Sequence, residues 1–89
     1  MTSDKKLEIN DIRSRIDSID EEILDLLKSR LQCAKDIGRL KDEGKRAKWD
    51  PLRERQIYDR LFSINQEMFP EKALKSIFHE IITTCRLSQ

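Results

Sequence analysis

The most regular feature of the chain is a row of apolar residues set alternately three and four positions apart. It runs Ile9, Ile12, Ile16, Ile19, Ile23, Leu26, Arg30, Cys33, Ile37 and Leu40, and Arg30 is its one charged member. Such steps match the 3.6-residue turn of an α-helix, so a stripe sustained over several heptads predicts one continuous helix from about Lys6 to Lys41. At 1.5 Å per residue that helix is roughly 50 Å long. The rest of an 89-residue chain is too short to cover it, so a partner helix from a second copy is expected.

Asp42-Glu43-Gly44-Lys45-Arg46 should end this helix, with Gly44 suited to a left-handed cap and the charges to a solvated loop. Asp50-Pro51 then reads as an N-cap followed by proline at the first helical position. The second helix, about 51–66, has Leu52, Ile57, Tyr58, Leu61 and Phe62 on its apolar side. Pro70 opens a third, about 70–88, with a stripe of Leu74, Ile77, Phe78, Ile81, Ile82 and Cys85 that Gln89 continues. No internal repeat or strand pattern interrupts this order. The expectation is an all-α fold in a single domain, 1–89, with three helices of which the first is very long.

Composition sharpens the need for a partner. With 37% hydrophobic against 39% charged residues, a lone subunit has little core, and oligomerisation is the natural remedy. The 18 Lys and Arg nearly balance the 17 Asp and Glu, so no overall field favours nucleic acid or an anionic membrane. The polar start and the lack of a long apolar run point to a cytoplasmic protein. Cys33 and Cys85 stand far apart without a partner at ligand spacing; both read as small buried apolar residues, and no metal site is expected.

Candidate chemistry begins where charge enters the seam. A guanidinium buried at Arg30 must meet an anion, either an acidic residue of a partner helix that fixes register or a bound ligand. Arg13 and Lys41 each directly follow a seam residue and so lean toward the same groove edge. Arg30 and Lys41 are about 16 Å apart along the axis, close enough for two long side chains to close on a small molecule, whereas Arg13 is about 25 Å from Arg30. An antiparallel partner crossing near Ile23 and Leu24 would bring Arg13 of one copy beside the Arg30–Lys41 segment of the other, giving two equivalent sites.

Arg53 projects on the side of Ile57 and Leu61 with Glu54 beside it, which fits either an inward pair or an exposed charged first turn. Gln89, on the stripe through Ile82 and Cys85, is a candidate neutral donor or a frayed terminus. His79 falls off the stripe and reads as a surface residue. No nucleophile and base share a face. A site rich in cations and without a nucleophile suits a dicarboxylate whose reaction needs shaping and charge stabilisation.

Ile12-Arg13, Ile16-Asp17-Ser18-Ile19-Asp20, Leu26-Leu27-Lys28-Ser29-Arg30 and Ile37-Gly38-Arg39-Leu40-Lys41 form a series of ordered segments. Asp50, Arg53-Glu54-Arg55, Ile77-Phe78, Ile81-Ile82 and Gln89 continue it. With these segments the chain resembles the all-helical class of chorismate mutases, in particular the mutase domain at the front of bifunctional mutase and prephenate dehydratase proteins. The resemblance covers almost the whole length. It implies an intertwined antiparallel homodimer with two active sites that convert chorismate to prephenate by a Claisen rearrangement, an isomerase of aromatic amino-acid biosynthesis that needs no cofactor. By the same resemblance Arg13 of one subunit joins Arg30, Lys41 and Arg53 of the other on the two carboxylates. Lys41 and Gln89 lie against the ether oxygen, and Glu54 accepts the ring hydroxyl with the Asp50 segment beside it. Cys85 stands where the family often has Ser, which exchanges a hydroxyl contact for a weak thiol one.

Two rivals remain on the sequence. An isochorismate-pyruvate lyase of the same fold would use a loop lysine, here Lys45 or Lys48. A non-catalytic helical dimerisation module would keep Arg30 as a register device only.

Overall fold

The computed structural model describes residues 2–41 and 50–89, with backbone alone for Thr2 and Ser3. The expected Gly44 cap and the loop lysines Lys45 and Lys48 lie outside the described residues. Three helices follow one another, α1 (Thr2–Leu40), α2 (Pro51–Asn65) and α3 (Glu71–Leu87). The residues fall into two compact units, one ending at Arg30 and one from Leu31 to Gln89.

Helix α1 starts four residues before Lys6. Its added first turn is polar, so no apolar spacing marks it, but Asp4 lies there, where a carboxylate offsets the positive end of the helix dipole. In the first unit the seam is uncovered: Ile9, Ile12, Ile16, Ile19 and Ile23 are 48–52% exposed, and Leu26 is 70% exposed. Leu27 and Arg30 are half-buried.

Past Arg30 the buried face of α1 lies one residue along from the seam. Ala34 is only 5% exposed and Leu31 and Gly38 are half-buried, whereas Cys33 is exposed and Ile37 and Leu40 are 46% and 87% exposed. One residue is a turn of about 100° around the helix, so this part of α1 has two apolar faces. One packs on its own unit and the other points outward. The expectation of a buried Cys33 is therefore corrected: its position belongs to the outward face. Cys85 is buried as expected, at 6% exposure, with Ile57 and Ile82 in the same core.

Helix α2 begins where an N-cap was expected. The Asp50 carboxylate accepts the Arg53 backbone N–H at 3.1 Å, the Asp50 carbonyl accepts from Glu54 at 3.0 Å, and Pro51 occupies the first turn. Both acceptors satisfy donors that the helix itself leaves unpaired. Leu52, counted with the apolar side of α2, is instead 68% exposed, because it falls in that first turn ahead of the face set by Ile57.

Helices α2 and α3 pack against each other, with Tyr58, Leu61, Phe62, Leu74, Phe78 and Ile81 half-buried around Ile57 and Ile82. The Tyr58 and Phe62 rings, one turn apart, stack with centroids 6.0 Å apart. The connection is tight. Gln66 and Glu67 both take left-handed backbone, with φ of 48° and 62°, and the Asn65 side chain clasps the Phe69 peptide. Its Nδ2 donates to the Phe69 carbonyl at 2.8 Å and its Oδ1 accepts the Phe69 N–H at 2.9 Å. Ile77, placed on the α3 stripe, is 47% exposed.

No described helix is long and apolar enough to cross a membrane.

Candidate active site

Eight residues carry the expected chemistry. Arg13 and Arg30 belong to the unit ending at Arg30, and Lys41, Asp50, Arg53, Glu54, Cys85 and Gln89 belong to the other. Arg13 is exposed and Arg30 half-buried. Among the described residues, the side chains of Arg13, Arg30, Lys41 and Arg53 meet no hydrogen-bond or ion-pair partner. These cations are available to an anion from outside the chain. Arg39 is different, because it pairs with Asp36. The hydrogen bond from Gln32 at 3.0 Å and the Arg39 guanidinium together hold the Asp36 carboxyl below its ordinary range.

In the second unit, the last turn of α1 meets Gln89, two residues past the end of α3. Lys41 sits just past α1, with its backbone N–H on the Ile37 carbonyl at 3.1 Å. One turn before it, Gly38 faces the backbone of Gln89. A methyl group at Gly38 would lie 3.0 Å from the Gln89 carbonyl carbon, 3.1 Å from its Cα and 3.2 Å from its carbonyl oxygen. Gln89 is held there by its own turn, its N–H on the Arg86 carbonyl at 3.2 Å and the Ser88 N–H on the Cys85 carbonyl at 3.1 Å. The Ser88 hydroxyl adds a bond to the Thr84 carbonyl at 2.9 Å. Gln89 is half-buried. Ser88 and Gln89 thus each bond back to the last turn of α3.

At the start of α2, Arg53 is exposed and Glu54 half-buried, so of the two it is the carboxylate that turns inward. Glu54 lies one turn before Tyr58, and its charge adds to burial in pushing the Tyr58 hydroxyl up from its usual value. A shallow cleft of about 560 Å³ between α2 and α3 is lined by Glu54, Tyr58, Lys72, Lys75, Ser76, His79 and Glu80. Of the expected site residues it contains only Glu54. His79 is exposed, as read from its position off the stripe.

Gly38 was not among the expected site residues. An isolated glycine inside a helical pattern costs stability against alanine, which hints at a packing reason without naming the partner.

Comparison with known proteins bears on what these cations serve. No solved structure matches the chain significantly. The chain is 42% identical over 82 residues to a bifunctional chorismate mutase/prephenate dehydratase of Aquifex aeolicus, covering 88% of this chain and 23% of that protein. It is 38% identical over 73 residues to the protein of the same description from Neisseria gonorrhoeae, covering 82% and 20%. A chorismate mutase of Methanocaldococcus jannaschii is 40% identical over 57 residues, 64% of this chain and 58% of that one. The chain therefore spans about a fifth to a quarter of the length of its bifunctional relatives. The description of chorismate mutase type II matches residues 12–89, from the residue before Arg13 through Gln89. On that match, which takes in all eight residues, the chain belongs to the chorismate mutase type II family.

Proposed function

We propose that two copies of this chain form a cytoplasmic chorismate mutase that converts chorismate to prephenate without a cofactor. The observation that carries the reading is Arg30. It is a half-buried arginine in an apolar seam, without an acidic partner among the described residues, in a member of this family. A charge so placed needs an anion, and the substrate brings two carboxylates.

The uncovered seam supports pairing. Burying the exposed half of each of Ile9, Ile12, Ile16, Ile19 and Ile23 would contribute about 1 kcal/mol per side chain, and the antiparallel arrangement lets both copies use the same stripe. In that dimer Arg13 of one copy reaches the Arg30, Lys41 and Arg53 group of the other. Arginine forks grip carboxylates at two points and fix their direction. Holding both carboxylates brings the enolpyruvyl arm over the ring, so the ends that must bond start near contact distance.

The rearrangement then moves electrons around a ring of six atoms. The ether C–O bond breaks as the new C–C bond forms, and no proton leaves or arrives. Breaking runs ahead of making, so negative charge grows on the ether oxygen. Lys41 and the Gln89 amide donate to that atom, and their bonds strengthen as the charge develops, an effect worth about 3 kcal/mol per donor in comparable sites. Glu54 accepts the hydrogen bond of the ring hydroxyl and orients the ring, with Asp50 beside it. Cys85 offers a thiol to the nearby carboxylate.

The test is to incubate the protein separately with chorismate and with isochorismate, with no added metal or cofactor. Prephenate formed from chorismate, with isochorismate untouched, is the expected result. Pyruvate from isochorismate without prephenate would make the chain a lyase of this fold, and no turnover of either would leave a helical dimerisation module.

A further inference from the structure

The approach of Gly38 to Gln89 is closer than nearly all side-chain contacts. Ordinary carbon contacts need about 3.5 Å or more, yet a Cβ at Gly38 would stand 3.0 to 3.2 Å from three backbone atoms of Gln89. Backbone, unlike the end of a long side chain, can give way only if the chain itself shifts. Gly38 also lies inside α1, where alanine is intrinsically preferred to glycine. Local preference and tertiary contact therefore oppose each other at this position, and the observed residue satisfies the contact.

We infer that Gly38 is a positioning residue for catalysis: by carrying no side chain, it lets the end of α3 seat on the last turn of α1 so that the Gln89 amide reaches the reacting oxygen beside Lys41. The inference rests on the mutase reading and adds to it a residue that touches no substrate. A methyl group at Gly38 would move the Gln89 backbone outward by a few tenths of an ångström while Lys41, on the other partner of the contact, stays in place. Donors to a developing charge are sensitive to such shifts, since misplacement by about 1 Å can cost about a hundredfold in rate. Because Gln89 acts on charge that appears only in the transition state, the loss should fall on kcat and leave KM nearly unchanged.

The test compares wild type, Gly38→Ala, Gln89→Ala and the double variant for kcat and KM on chorismate, with thermal melting and dimer mass recorded for each. Gly38→Ala is expected to lower kcat by roughly three- to tenfold, with KM within about twofold in a folded dimer, since the helix preference of alanine offsets part of the cost of the contact. The double variant should be no slower than Gln89→Ala alone, because a displaced amide that is already absent has nothing further to lose. Gly38→Ser, which adds an atom beyond Cβ, should lose more kcat than Gly38→Ala, and the melting and mass records separate that loss from a failure to fold. Unchanged kcat in both Gly38 variants, or losses that multiply in the double variant, would overturn the inference while leaving the mutase reading intact if wild type is active and Gln89→Ala slow. An inactive wild type would remove both.

Discussion

The carboxylate of Asp50 accepts the backbone N–H of Arg53 at 3.1 Å, so a residue expected beside the substrate also closes the first turn of the helix that carries Arg53 and Glu54. The two duties need different chemistry. A cap needs an oxygen acceptor, whereas an electrostatic role toward substrate needs the charge.

Substitution at Asp50 separates them. Asp50→Ala should cost about 1 kcal/mol of stability, read as a lower melting temperature, whereas Asp50→Asn keeps an acceptor and should melt within a degree or two of wild type. If the cap is the whole contribution of Asp50, Asp50→Asn retains wild-type kcat/KM. A loss of turnover in a fully stable Asp50→Asn dimer would assign the charge to the substrate.

The Asn65 clasp on the Phe69 peptide spans two residues in left-handed backbone, Gln66 and Glu67. Non-glycine residues resist that conformation, so the turn depends on bonds made around it. Asn65→Ala removes two hydrogen bonds and should lower stability by about 2 kcal/mol, at about 1 kcal/mol each. Asn65→Asp keeps only the acceptor and should fall between. Chemical denaturation measures both, and an unchanged midpoint in Asn65→Ala would show that the turn stands without the clasp.

Much of this architecture was legible from periodicity, and the limits of periodicity explain the rest. The seam from Ile9 to Leu40 announced α1, and Asp50-Pro51 announced the start of α2 to the residue. Periodicity alone cannot say which neighbour a stripe will meet. Past Arg30 it is Ala34, not Cys33, that is buried in the chain itself, because α1 serves an inner face and an outer one a single residue apart. Alanine and glycine carry too little apolar surface to stand out as a stripe, so Ala34 and Gly38 were invisible as a packing surface. The proposed site rests on residue types in order, since cations without a nucleophile suit an anionic substrate. What Gly38 does for Gln89 depends on a contact between the ends of two helices far apart in sequence, which no local pattern encodes.

Arg30 decides between an enzyme and a register device. Arg30→Leu fills the seam with an apolar residue, which in ion-paired cores is often neutral or stabilising. A folded dimer with equal or higher melting temperature and prephenate formation reduced by at least about a hundredfold is expected. Retained turnover would mean that Arg30 holds no substrate carboxylate.

Gln89 supplies a prediction in pH. Gln89→Glu places a carboxylate where negative charge develops, so at pH 7 it repels the transition state and kcat should fall by about a hundredfold or more. A neutral carboxyl can donate as the amide does. Activity should therefore return as pH falls toward the ordinary glutamate value of about 4.3. Gln89→Ala, with nothing to protonate, should stay slow throughout, and a Gln89→Glu enzyme fully active at pH 7 would remove Gln89 from the ether oxygen.

The central claim is that each site is built from two copies of the chain, Arg13 from one and Arg30 from the other. Mixing Arg13→Ala subunits with Arg30→Ala subunits, under conditions where mass spectrometry shows exchange, tests it directly. Random pairing makes half the dimers mixed, and each mixed dimer has one of its two sites intact, so activity should rise from near zero to about a quarter of wild type. A mixture no more active than its two parents, with mixed dimers demonstrably present, would contradict a shared site.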